Sequence, residues 1–244
     1  MVPGWLHGLS IAALALGFAC AVLIALDVLR HPQHMAIMNI VWPVTALFGT
    51  VLTLWGYFRW GRLATQEEMK AARARGEQPP SKIRTPLAAM VGKGTSHCGS
   101  ACALADIAGE WLTVLAPGLL AWFGLGSVFE EKIYSRWVLD YLLAFVLGIV
   151  FQYFTIVPMR QLSFLPGVWA AVKADTLSLT AWQLGMYGFM AVAHFWLFAR
   201  VLGTPLEVAS PEFWFMMQIA MLCGFATSYP VNWWLVSKGW KEKM

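Results

Sequence analysis

The chain has 244 residues, 59% of them hydrophobic and only 12% charged, with a formal net charge of +4. That charged share is about half the usual one for soluble domains, and the mean hydropathy is +0.62. Together these values exclude a soluble globular domain and a disordered chain, and the small net charge gives no case for a nucleic-acid partner. The class that remains is all-α: a polytopic membrane helix bundle.

Apolar stretches long enough for a bilayer, which demands roughly 20 residues, are predicted over 5–29, 36–58, 102–125, 137–158, 174–198 and 211–236. They form about six transmembrane helices in one membrane domain, 1–244. The first has no basic leader and is too long for a cleaved signal, so it reads as a retained helix. Ala13, Gly17 and Ala21 recur there every four residues as a small-residue packing face, and Asp27 and Arg30 are placed to pair at its end. Pro43, Pro117 and Pro230 fall within or near span ends and are expected to kink them. The connecting segment 59–97 is predicted to be helical over 63–75, stopped by Gly76 and Pro79-Pro80, and irregular through Gly92-Lys93-Gly94-Thr95. With an even number of spans, this segment, the fourth-to-fifth connection and the tail share one side. That side holds every Lys and Arg except Arg30, Lys132, Arg136 and Arg200. The positive-inside rule then places both termini in the cytoplasm.

Three constellations carry possible chemistry. His31, His34, Met35 and Met38 lie before and at the start of the second span. If the helix starts near Pro32, His34, Met35 and Met38 share one face. His97, Cys98, Cys102, Asp106 and Glu110 open the third span, and from Cys98 onward the spacing is four throughout, one stripe of a helix. On the expected topology this stripe starts at the cytoplasmic surface, where thiols stay reduced. Carboxylates inside a span are costly and face a partner or a water-filled path. Met186, Met190 and His194 form a stripe on the fifth span and Met217 and Met221 one on the sixth, with Asp175 at the start of the fifth.

Thioether, imidazole and thiolate together suit a soft ion, Cu(I) above all. The expected order is graded. His31, His34, Met35, Met38 and His194 lie outermost, Met186, Met190, Met217 and Met221 at mid-depth, and His97, Cys98 and Cys102 innermost beside Asp106, Glu110 and Asp175. The same methionines also suit helix packing, and the two readings stay open at this point. Thr227, Ser228, Tyr229 and Asn232 give the sixth span unusual polar density, suited to lining an exit or to docking another helix.

Several strings carry a resemblance: Asn39 to Pro43, Thr95 to Gly99, Asp140 to Phe145, Phe151 to Thr155, Lys173 to Thr180 and Thr227 to Asn232. From about Met35 onward the chain resembles a bacterial family of integral membrane proteins catalogued only as a domain of unknown function. The resemblance implies a multi-pass protein of the bacterial cell (inner) membrane and no activity.

Neither His-Glu-x2-His, Gly-x-Ser-x-Gly nor a nucleotide-binding loop occurs, so no enzyme is expected. The leading expectation is a protein that binds and transports or delivers Cu(I), with copper ion as its cofactor or cargo. Its expected partners are membrane lipid, the metal ion, and a second copy or a metallochaperone. The alternatives are a haem- or quinone-linked redox protein pairing His194 with His7, His31 or His34, and a non-catalytic assembly subunit.

Overall fold

The computed structural model describes residues 2–244 as a bundle of long helices, with no strand among them. Five stretches are long and apolar enough to cross a membrane: Gly4–Arg30, Met38–Ala64, Leu87–Leu115, Lys132–Arg160 and Phe164–Leu202. Helix α1 spans Gly4–Arg30. Gly17 lies under the Leu47 carbonyl and the Gln218 amide, so close that a Cβ would collide with both. The small-residue face of α1 is therefore an interface with the next helix and the last one.

Helix α2, Met38–Gly56, does not cross the bundle. Thr50 breaks it, with φ 43° and ψ −124°. Before α2 the chain is irregular, so His34, Met35 and Met38 do not share a helical face as the sequence suggests. The His34 N–H donates to the Ala64 carbonyl and the Gln66 N–H to the Pro32 carbonyl, both at 2.8 Å. A straight helix from Met38 to Ala64 would be about 40 Å long, and the few residues linking His34 to Met38 reach only about 14 Å. The two ends can meet only if the chain folds back on itself. Two further contacts agree. The Trp42 and Tyr57 rings stand 5.4 Å apart, and a Cβ on Gly61 would strike both of them. Residues 38–64 are thus a re-entrant helical hairpin whose tip, Gly49-Thr50, lies inside the bundle. Asp27, expected to pair with Arg30, instead accepts from the Tyr57 hydroxyl at 2.6 Å and pairs with Arg62 and His31 at 3.4 Å.

Two short helices follow, α3 (Gln66–Ala74) and α4 (Pro80–Ile83). The Thr65 hydroxyl caps α3 by accepting from the Glu68 N–H, as its Thr-x-x-Glu sequence favours. Helix α5, Leu87–Leu115, starts well before the expected 102. The segment expected to be irregular around Gly92-Lys93-Gly94-Thr95 is helical, because a glycine costs a helix only about 1 kcal/mol and packing recovers it. Val91, Lys93 and Thr95 are buried. The stretch after Leu115, counted within the third span, is a short 3-10 turn, Pro117–Phe123, ending on a left-handed Gly124. Helix α6 covers Lys132–Arg160. Helix α7, Phe164–Ala191, continues as a π-helix over Val192–Leu202. Helix α8 covers Pro211–Ser237.

Helix α8 is less apolar than the five stretches above, yet it packs against α7, α5 and α1. Its polar residues bond to protein. Thr227 donates to the Ala181 carbonyl at 2.7 Å, Ser228 to the Ser178 carbonyl at 2.9 Å and Asn232 to the Ser178 hydroxyl at 2.8 Å. The polar end of this helix therefore docks it onto α7. The lone Gln218 side chain donates to the Leu47 carbonyl at 2.6 Å, satisfying backbone that the Thr50 break leaves free.

The bundle has two distinct ends. At one, His7 joins Glu212 at 2.7 Å and Arg136 approaches Glu110 at 3.6 Å, bringing together the starts of α1, α8 and α6 and the end of α5. At the other, Tyr229 donates to the Ala88 carbonyl at 3.1 Å and Arg160 pairs with Glu242. We call these the N-terminal and C-terminal ends. Helices α1, α5, α6, α7 and α8 each run from one end to the other, and the hairpin returns to where it began. The chain therefore passes through the bundle five times rather than six, and its termini lie at opposite ends rather than on one side. The charge asymmetry becomes sharper: Lys132, Arg136 and Arg200 stand at the N-terminal end, and the remaining Lys and Arg stand toward the other.

Candidate functional site

Because α5 starts at Leu87, Cys98 and Cys102 lie in the middle of the bundle, not at its surface. Cys98, Cys102, Asp106 and Glu110 form one buried stripe, none more than 4% exposed. Two more acids join them from neighbouring helices. Asp140 of α6 lies over Gly109 of α5, and Asp175 of α7 lies over Gly148 of α6; a Cβ on either glycine would run into the carboxyl. Glycine at these points lets each acid press against the preceding helix.

The order along the bundle follows from the helices. Glu110 and Arg136 lie at the N-terminal end, then Asp140 and Asp106, then Cys102 and Cys98, then Asp175. Asp140 faces Asp106 and Glu110, Cys102 faces Cys98 and Asp106, and Cys98 and Gln152 face Asp175. Both carboxyl oxygens of Asp106 and of Asp175 are buried with no hydrogen-bond partner, as are one oxygen each of Asp140 and Glu110 and the side-chain amides of Gln152 and Gln183. Removing a carboxylate from water costs several kcal/mol even after relaxation. A row of such groups without donors is expensive for a fold to keep and marks a path or a site. His97 is fully buried beside it, its Nε2 at 3.0 Å from the Thr155 hydroxyl and its Nδ1 without a partner.

One cavity opens on the N-terminal end of this row, and a second lies at the C-terminal end of the bundle, separated from Asp175 by Lys241. The N-terminal cavity, of about 580 Å³, is lined by Met186, Met190, Met217 and His194 together with Glu110 and Asp140. The C-terminal cavity, of about 1460 Å³, is lined by His34, Met35, Met38, Met69, Met90, Met159 and Met244, with Lys93 and Lys241. Among the described methionines, Met216 and Met221 line neither cavity; both are buried in the core.

The sequence-based depth order therefore needs correction. His31, His34, Met35 and Met38 stand at the end opposite His194, because the hairpin returns the chain to its own side. Met221 is buried like Met186, Met190 and Met217 but, unlike them, lines neither cavity. The same geometry removes two haem-ligand pairs: His31 and His34 cannot meet His194, while His7 is bonded to Glu212. Among the described residues, no group of three or more His, Cys, Asp or Glu side chains is placed to hold a metal ion. The soft donors at the mouths are thioethers.

A family model described as a domain of unknown function, DUF4396, matches residues 88–241. The chain belongs to the DUF4396 family. The DUF4396 region starts at the head of α5 and contains the acidic row, the thiols and the N-terminal cavity; α1 and the re-entrant hairpin lie before it. No curated protein and no solved structure matches the chain.

Sequence reasoning missed Asp140, Gln152, Lys241, Met69, Met90, Met159 and Met244. Asp140 was findable, since it is an acid within an apolar span. The methionines come from four separate segments and converge only through the hairpin and the tail.

Proposed function

We propose that this protein moves a soft cation, Cu(I), across a bacterial inner membrane. The supporting observation is that a row of buried carboxyls and thiols runs from one methionine- and histidine-lined cavity toward a second at the opposite end of the bundle. A neutral thioether holds Cu(I) without losing a proton, and thiolate and imidazole are equally soft donors. The carboxyls offset the cation's charge where water is scarce. Among the four acids Glu110, Asp106, Asp140 and Asp175, Arg136 alone approaches within ion-pair distance, so the other carboxyls are free to give up a proton to a cargo cation. With the basic C-terminal end in the cytoplasm, the N-terminal cavity faces outward, and its donors are those that survive outside the cell, where thiols oxidise. The thiols lie deeper.

Anaerobic purification followed by elemental analysis and competition with a Cu(I) chelator tests this reading. The expected result is copper bound by the wild-type protein and weakened binding when Met186, Met190 and Met217 are all leucine. A Soret band in place of bound copper would replace this reading with a haem protein, and neither copper nor haem would leave an assembly subunit.

A further inference from the structure

The tail beyond α8 does not extend into solvent. Gly239, with φ 70°, turns it back, and the Trp240 and Lys241 N–H groups both return to the Leu235 carbonyl. Three contacts fasten it. Trp240 packs edge-on against Trp234, the Lys173 ammonium lies 4.3 Å from the Trp240 ring, and Glu242 pairs with Arg160. The result is that Lys241 is driven inward: it is only 3% exposed, and its Nζ donates to the Ser178 hydroxyl at 3.2 Å. A buried lysine held by one neutral hydroxyl is poorly compensated.

The group that explains it is one helical turn away on α7. Asp175 and Ser178 share a face by their spacing, so the ammonium held on Ser178 lies on the Asp175 side of α7, beyond ion-pair distance of its carboxyl. Asp175 is fully buried, and neither oxygen has a donor. Ser178 is in turn fixed by Asn232 and Ser228 of α8, so the hydroxyl that holds the ammonium is backed by an amide and stands one turn from a carboxyl. This is the chemistry of a monovalent cation site, with an ammonium in place of the ion.

We propose that Asp175 and Ser178 form the last cation site of the route and that Lys241, seated on Ser178, blocks it as a tethered cation, closing the C-terminal end until the tail lifts. The inference rests on the transport reading for its cargo, but the plug is testable without transport. In the closed state both the site and the neighbouring Cys98, 1% exposed, are shielded. A cation arriving at Asp175 competes with Lys241, and release of the tail opens the site to the large C-terminal cavity.

The test uses the full chain with its native cysteines. A charged, membrane-impermeant maleimide is applied to the C-terminal side, and modification of Cys98 is followed by peptide mass spectrometry. Lys241→Met keeps the side chain's length and removes its charge; Lys241→Arg keeps the charge. The expected result is modification about tenfold faster in Lys241→Met, equivalent to weakening closure by about 1.4 kcal/mol, with Lys241→Arg near wild type. Cys98 equally shielded in all three would overturn the plug, with elution as a folded monodisperse protein as the control. In vesicles, Lys241→Met should also speed Cu(I) uptake. If Cys98 opens but copper moves in none of the proteins, the plug stands and the transport reading fails.

Discussion

The backbone N–H of His34 donates to the carbonyl of Ala64 at 2.8 Å. That bond makes residues 38–64 a hairpin rather than a span. It reverses the relation of the two termini, and it carries His31 through Met38 to the end where Lys241 and the tail lie. Irregular backbone at membrane depth persists only where protein or a water-filled cavity satisfies it, and here Gln218 supplies the bond at Leu47.

The first prediction is topological. A reporter that fluoresces only in the cytoplasm, fused after Met244, should be bright, and an epitope placed before Gly4 should be reached by antibody from outside. Both tags on one side would contradict five passes.

The hairpin tip gives the second. Thr50 holds a positive φ that a β-branched residue rarely adopts, at a cost on the order of 1–3 kcal/mol. Thr50→Gly should raise the melting temperature in detergent. Gly49→Val should lower it, since any Cβ there meets the Thr53 hydroxyl. A lower melting temperature for Thr50→Gly would argue for a continuous helix.

The acids seated on glycines give the third. Gly109→Ala and Gly148→Ala should each destabilise by about 1–3 kcal/mol through overpacking against Asp140 and Asp175. Gly188→Ala, on the same helix as Asp175 but with open space around it, is the control and should be stabilising by up to about 1 kcal/mol. Chemical denaturation of the three variants side by side reads the difference.

The class of fold was legible in the sequence because it rests on composition and on apolar length, and both are local. The stripe Cys98, Cys102, Asp106 and Glu110 was legible because helical spacing alone sets it. The hairpin was not. Residues 38–64 have the length and apolarity of a span, and the break at Thr50 has no Pro or Gly run to announce it beyond the single Gly49. A reading that misses the fold-back sets one basic residue, Arg30, on the wrong side. The agreement with the positive-inside rule therefore survives the correction, and the five-pass arrangement satisfies it better by bringing Arg30 to the basic side. Lys241 reads in the sequence as part of a solvated basic tail, and only the turn at Gly239 buries it.

The methionines separate packing from chemistry in the fourth prediction. Met186→Leu, Met190→Leu and Met217→Leu conserve volume and should each cost less than about 1.5 kcal/mol, while together they remove the thioethers that line the N-terminal cavity. Met216→Leu with Met221→Leu, in the core, should be equally folded and leave Cu(I) handling unchanged. Equal loss or equal retention in the two sets would make all of them packing residues.

The central claim is that a cation passes along the buried acids, and Asp106, fully buried with both oxygens unpartnered, lies within that row. The direct measurement is Cu(I) uptake into sealed vesicles containing equal amounts of wild-type and Asp106→Asn protein, under reducing conditions. Asparagine keeps the shape and removes the ionisable carboxyl. The account predicts uptake above empty vesicles for the wild type and uptake at the empty-vesicle level for Asp106→Asn. Uptake at the same rate in both would contradict it.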